Sequence, residues 1–219
     1  MDEVLERILE MSVKARGTDA PLSWFEELYA QAGDDWTQIP WAAMQPNGRM
    51  VSWYEEKPIQ GKALVIGCGL GDDAAWLDEQ GMDVVAFDLS HSCVEWAKRR
   101  FPDSCVDWIV ADILAMPEEW KGAFDLVVEI HILQAVPTEI RDACAASIPG
   151  LLTANGTLLC IGRVRDNLQP EEPGPPWTLT ESWMDSQFTT LKKGLFERFV
   201  RSDTPEVNRF CATWSKGNY

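Results

Sequence analysis

From Lys62 onward, short apolar runs alternate with amphipathic stretches, and this alternation predicts successive βα units feeding a mostly parallel sheet. "KALVIG" reads as the first strand, "DDAAWLDEQG" as a helix closed by Gly81, and "DVVAFD" as the second strand. "SCVEWAKRRF" is a helix stopped by Pro102, and "DWIVAD" and "FDLVVEI" are the third and fourth strands. A helix from about Thr138 to Leu152 follows, with Gly156 expected to supply a left-handed turn into the fifth strand, "TLLCIG".

Two regions break the pattern. Residues 1–60 hold Trp24, Trp36, Trp41 and Trp53, which suits either a helical layer on the sheet or an aromatic lid over a ligand cleft. Residues 166–180 carry Pro170, Pro173, Pro175 and Pro176, which forbid a regular strand or helix and predict a surface loop. Beyond it, Thr180 is placed to cap a helix through Lys193, and "LFERFVRSDTPEVNRFCATWSK" reads as two strands joined by a turn at Thr204 and Pro205. The expectation is one α/β domain over 1–219: an N-terminal helical, Trp-rich segment (1–60), a ligand-binding core (61–165), the proline-rich loop (166–180) and a C-terminal helix with strands (181–219).

Composition narrows the partners. The chain has 219 residues, 46% hydrophobic and 25% charged, with a formal charge of −16. So acidic a surface repels nucleic-acid backbones and anionic membrane faces, which leaves a small molecule as the expected partner and the oligomeric state open. The densest basic run, Lys98 to Arg100, ends a predicted helix, where cations favour the dipole. The six cysteines form no C-x-x-C pair and, with only His91 and His131 beside them, predict neither a zinc site nor a disulfide framework. The N-terminus is charged throughout and no run approaches the roughly 18 apolar residues that span a bilayer, so a cytoplasmic protein is expected.

The chemistry centres on "VIGCGLGDD", Val65 to Asp73. A dinucleotide fingerprint needs a third glycine where Asp72 stands, and a Walker loop needs a lysine; two carboxylates beside a pyrophosphate are repulsive. A ligand with a nucleoside, no phosphate and cationic groups fits better. In S-adenosylmethionine the tail can approach Gly67, Cys68, Gly69 and Gly71, amides can hold its carboxylate, and Asp72 and Asp73 can favour its sulfonium and ammonium.

These residues resemble the class I S-adenosylmethionine-dependent methyltransferases over roughly residues 61 to 165. The resemblance implies a doubly wound, mostly parallel, seven-stranded Rossmann-like sheet with an antiparallel C-terminal strand. It implies that Asp88, with Leu89 beside it, binds the ribose hydroxyls and that Asp112, with Ile113, meets the adenine amino group. "FDLVVEIHIL" resembles the fourth-strand motif, which implies that the residues after it border the methyl group. A narrower resemblance is to the thiopurine S-methyltransferase-like branch, which includes thiol, halide and tellurite methylating enzymes. It rests on "WFEELYAQAGDDWTQIPW" before the first strand and "GPPWTLT" after the fifth; "GLGDDAAWL" departs from that branch's pattern and leaves the acceptor open.

Methyl transfer is an in-line displacement at a sulfonium carbon and asks mainly for alignment and exclusion of water. Glu129 and His131 are the candidate catalytic groups, Glu129 also as a partner of the donor's ammonium; a packed, hydrogen-bonded histidine is the competing reading of His131. Trp36, Trp41, Gln134 and Trp177 are candidates for the acceptor pocket, where tryptophan faces also suit a sulfonium. The expected reaction is methylation of a small soft nucleophile such as a thiol, sulfide, thiopurine or halide. A nonenzymatic S-adenosylmethionine or S-adenosylhomocysteine sensor, or an inactive partner subunit, uses the same cofactor residues; a nicotinamide-dependent dehydrogenase is disfavoured by Asp72.

Overall fold

The computed structural model describes residues 3–170 and 174–217. Seven strands form one sheet in the order β3-β2-β1-β4-β5-β7-β6. They are β1 (Lys62–Ile66), β2 (Asp83–Asp88), β3 (Asp107–Val110), β4 (Phe124–Ile130), β5 (Leu152–Arg163), β6 (Lys192–Arg201) and β7 (Thr204–Ser215). The first five pair in parallel, and β7 runs antiparallel to both β5 and β6. The central strands are apolar without alternation because both faces are covered: Leu64 and Val127 pack into one core cluster and Val65 and Val128 into the other. Helices α6 (Thr138–Ser147) and α7 (Glu181–Gln187) cover the first face; α3 (Gly48–Glu56) and α4 (Asp72–Glu79) cover the second.

The N-terminal region is largely a helical layer. Helices α1 (Glu3–Arg16) and α2 (Ser23–Ala32) share a third cluster with Leu70 and with Cys93 and Trp96 of α5 (His91–Arg100). Trp24 and Trp53 are buried, while Trp36 and Trp41 are 43% and 41% exposed, so the tryptophans divide between core and surface.

Several local expectations are corrected. Gly156 adopts no left-handed turn; it lies inside β5, where an added Cβ would stand 2.6 Å from the Phe124 carbonyl, so close strand approach is what requires glycine. The helix after Thr180 ends at Gln187 rather than Lys193, because Lys192 already begins β6. The β6–β7 turn falls at Ser202 and Asp203, two residues before the expected Thr204 and Pro205. Gly71, left-handed at φ 92°, takes the cap position of α4, and Asp72 begins the helix. Of the loop prolines, Pro173 lies outside the described residues.

The strand order reverses between β1, flanked by β2, and β4, so the carboxyl ends of these three strands form the crevice where open α/β sheets bind ligands.

Candidate functional site

The loop after β1 enters this crevice with Gly67, Gly69 and Gly71 all at positive φ (59°, 54° and 92°), a conformation that side chains with a Cβ resist. Space adds to the requirement at two of them. A Cβ on Gly67 would lie 2.2 Å from the Ile132 Cδ1 atom, and one on Gly71 would lie 2.7 Å from the Trp108 ring. At Gly69 the nearest atom is the Tyr29 hydroxyl at 3.6 Å, so backbone is presented to the space beneath that hydroxyl.

Asp88, at the end of β2, is buried and serves the same loop: one carboxylate oxygen accepts the Gly69 N–H at 3.1 Å and the other the Ser90 N–H at 3.0 Å. Burial pushes its carboxyl up, and these backbone bonds oppose the rise. A carboxylate offers about four lone-pair positions, so each oxygen retains capacity for a hydroxyl donor. The cradle therefore fits a ligand with a vicinal diol and a flexible tail. Cys68 is buried in the loop, and the Cys93 thiol donates to the Gly69 carbonyl at 3.0 Å.

Asp72 and Asp73 do not open onto the loop in the same way. Asp72 makes a two-oxygen ion pair with Arg100 at 2.7 Å for each contact, and Arg100 also donates to the Leu70 carbonyl. The basic run at the end of α5 is structural, as expected: Lys98 pairs with Glu95 and Arg99 with Asp34. Asp73 accepts the Asn47 N–H at 2.6 Å, fastening the start of α3 to α4, and burial pushes its carboxyl up to about 6. The sequence carries the two carboxylates but not their partners, which stand 28 and 26 residues away.

Along the crevice, Leu89 is 37% exposed, Ile113 is buried, and Asp112 turns one oxygen to the Leu114 N–H at 2.8 Å. Leu89, Val110 and Leu114 are among the exposed large apolar side chains at the ends of β2 and β3, where a flat heterocycle would be covered.

The residues after β4 behave differently from one another. Glu129 is 1% exposed: one oxygen accepts the N–H groups of Ile132 and Leu133 at 2.7 and 3.0 Å, and the other accepts the Cys160 thiol at 2.5 Å. Its carboxylate holds the turn that follows the strand. His131 sits in that turn at φ 68°, its N–H bonded to the Ile161 carbonyl. Burial first, then the nearby Arg163 and Arg209, push its imidazole down to about 4, so it is neutral at neutral pH. An ordinary histidine titrates near 6.5, so the unfolded chain binds the proton between about 6.5 and 4, and this group's contribution to stability falls as pH falls through that window. His131→Asn, which tolerates the left-handed backbone, is expected to lose less stability than wild type between pH 7 and pH 4.5 in urea unfolding; parallel losses would remove His131 as a buried neutral group.

Gln134 is buried and accepts the Arg163 N–H at 2.6 Å, while its carbonyl accepts the Trp177 N–H at 2.7 Å. The proline-rich loop is thus stitched to the turn after β4, and Trp177 packs there, 5% exposed, with Arg16 5.8 Å over its ring. Trp41 donates to the Tyr29 hydroxyl at 2.9 Å and packs edge-on to Trp24, Phe25 and Tyr29. Trp36 stands in a one-turn helix without a ring contact among the described residues. The structure brings Trp41 toward the glycine loop through Tyr29 and Trp177 toward the β4 turn through Gln134; Trp36 has neither link.

Two contributors escaped sequence reading. Tyr29 is buried over Gly69, its phenol pushed well up by burial. Glu26 accepts from both Ser90 and Ser92 hydroxyls and the Ser92 N–H, seating a carboxylate at the N-terminus of α5 and locking α2 to the end of β2. Both lie on one helix in "FEELYAQ"; a signal existed only in their spacing, one turn apart.

Comparisons with known proteins bear on the family and the fold. A family model described as thiopurine S-methyltransferase (TPMT) matches residues 34–213. A thiopurine S-methyltransferase of Shewanella pealeana is 25% identical over 187 residues, covering 78% of this chain and 82% of that protein. Thiocyanate methyltransferase 1 of Brassica oleracea is 29% identical over 124 residues, 56% of this chain and 54% of that one. Among solved structures, the Burkholderia thailandensis 1,6-didemethyltoxoflavin-N1-methyltransferase, determined with 1,6-didemethyltoxoflavin and S-adenosylhomocysteine, superposes with a TM-score of 0.66 at 21% identity, covering 90% of this chain and 87% of that one.

Proposed function

The chain belongs to the thiopurine S-methyltransferase family and is an S-adenosylmethionine-dependent methyltransferase, and from that premise we propose that it methylates a small soft nucleophile, sulfur above all. One observation carries the reading: the glycine loop, Asp88 and the turn after β4 converge on one crevice, and the carboxylate at the β4 end, Glu129, is taken up by the Ile132 and Leu133 N–H groups and the Cys160 thiol. Such a site positions a reactive acceptor rather than activating a poor one, which suits a thiolate, sulfide or halide.

Bound S-adenosylmethionine supplies a methyl group on a positively charged sulfur, and the acceptor's lone pair forms the new bond while the carbon–sulfur electron pair stays behind on a neutral thioether. The chain does the rest. Asp88 binds the ribose hydroxyls and holds Gly69, whose neighbours in the loop present backbone to the tail. Leu89, Ile113 and Asp112 border the adenine. Glu129 fixes the turn that carries His131 and Ile132, and Ile132 closes over Gly67. Trp41 and Trp177 limit water at the acceptor side. Asp72 and Asp73 act through structure, tying α5 and α3 to the helix that follows the loop.

A panel of thiol, halide, phenol and amine acceptors, each assayed with S-adenosylmethionine, tests the reading. Thiols or halides are expected to exceed phenols and amines in kcat/KM; a phenol or amine as the preferred acceptor would overturn it. Binding of S-adenosylmethionine with no turnover across the panel would favour a sensor.

A further inference from the structure

We propose that the acceptor carries negative charge and is held by Arg163 and Arg209 beside His131, an inference that rests on the methyl-transfer reading and adds the charge of the substrate to it. Arg163 ends β5 at the ligand-binding edge, and Arg209 of β7 is its direct partner in the antiparallel ladder. Directly opposed residues project from the same face, and two like charges so placed are destabilising unless something neutralises them.

Nothing in the described chain does so. The Arg163 guanidinium makes no hydrogen bond or ion pair among the described residues; only its backbone is engaged, the N–H donating to the Gln134 side chain and the carbonyl accepting the Leu179 N–H. The Arg209 guanidinium bonds only neutral oxygens, the Val207 carbonyl at 3.0 Å and the Thr204 hydroxyl at 2.8 Å foremost. Asp203 and Glu206 lie near Arg209 in the hairpin without an ion pair to it, and Asp203 is engaged with Arg201. Elsewhere Arg16, Arg49, Arg99, Arg100, Arg198 and Arg201 each hold a carboxylate. Arg165 also bonds carbonyls rather than a carboxylate; what sets Arg163 and Arg209 apart, in a chain of formal charge −16, is that they face each other in one ladder at the edge of the sheet where the acceptor must enter.

His131 completes the cluster. Its N–H bonds the Ile161 carbonyl two residues before Arg163, which lays the turn after β4 against the end of β5. Its Nδ1 atom is buried with no hydrogen-bond partner. Two unneutralised guanidinium groups and an unsatisfied imidazole nitrogen on adjoining strand ends form a receptor for a small anion: a thiol bearing a carboxylate, or a bare anionic nucleophile such as thiocyanate.

Three thiols of one size separate the possibilities: thioglycolate, mercaptoethanol and cysteamine are anionic, neutral and cationic. Wild type is expected to prefer thioglycolate in KM, and Arg163→Gln to reduce its kcat/KM ratio of thioglycolate over mercaptoethanol roughly tenfold or more while S-adenosylhomocysteine binding stays unchanged. Because the ratio is compared between proteins, the intrinsic nucleophilicity of each thiol cancels. Thiocyanate in the same assay distinguishes a bare anion from a carboxylate-bearing thiol as the source of the charge. Calorimetric titration of the S-adenosylhomocysteine complex with thioglycolate and mercaptoethanol gives a readout independent of turnover. Preference for thioglycolate that disappears in Arg163→Gln supports the anion site even where no methyl is transferred, in which case the functional reading alone fails. Equal binding of the two thiols by wild type, or an unchanged ratio in the variant, would overturn it.

Discussion

Replacing Asp88 by alanine is expected to weaken S-adenosylhomocysteine binding roughly 100-fold or more, since bonds to a charged acceptor contribute about 1.5–3 kcal/mol each and a ribose diol makes two. The carboxylate is already aimed before any ligand arrives. It is buried, its two oxygens are fixed by the Gly69 and Ser90 N–H groups, and Ser90 is held in turn by Glu26 from α2 and by capping α5 through its hydroxyl. Alanine removes the ribose contact and releases the glycine loop together. Asp88→Asn keeps an isosteric acceptor and should fall between the two proteins. Calorimetry measures the binding, and circular dichroism checks that the variants remain folded; unchanged affinity in Asp88→Ala would show that the ligand sits elsewhere.

Glu129 is expected to separate two roles in one pair of substitutions. Glu129→Ala leaves the Ile132 and Leu133 N–H groups and the Cys160 thiol without their acceptor in a site that is 1% exposed, a loss of about 3 kcal/mol or more in urea unfolding. Glu129→Gln keeps an oxygen on those N–H groups and should retain most of the methyl-transfer rate. Loss of a general base typically costs about 100-fold or more, so a collapse of kcat in a stably folded Glu129→Gln would restore Glu129 as the catalytic base.

The parallel core was legible because its signals are local. Strand runs such as "KALVI" and "DVVAFD" are apolar without alternation, Gly81 and Pro102 mark helix ends, and the glycine loop with Asp88 sits in one βα unit. Asp125, at the start of β4, accepts from the Lys62 N–H and the Thr153 hydroxyl. What escaped depends on partners distant in sequence. Arg100 pairs with Asp72 and the Asn47 N–H bonds Asp73, although neither carboxylate's sequence context differs from that of a ligand-binding pair. Gly156 looked like a turn residue because the constraint on it is the Phe124 carbonyl of a neighbouring strand. Glu129 ended the right strand for chemistry, yet its partners are the turn behind it and a cysteine on β5. Tyr29 and Glu26 come from a helix outside the repeating pattern, and only the packing of α2 on α5 brings them to the loop.

The most direct test is transfer of the methyl group itself. Incubating the protein with S-adenosylmethionine carrying a deuterated methyl group and a small thiol, and following both by mass spectrometry, should give the deuterated methyl thioether and S-adenosylhomocysteine in equal amounts, with both products lost in Asp88→Ala. Absence of the thioether with thiols and halides alike, from wild-type protein that binds S-adenosylhomocysteine, would contradict methylation of a soft nucleophile at this site.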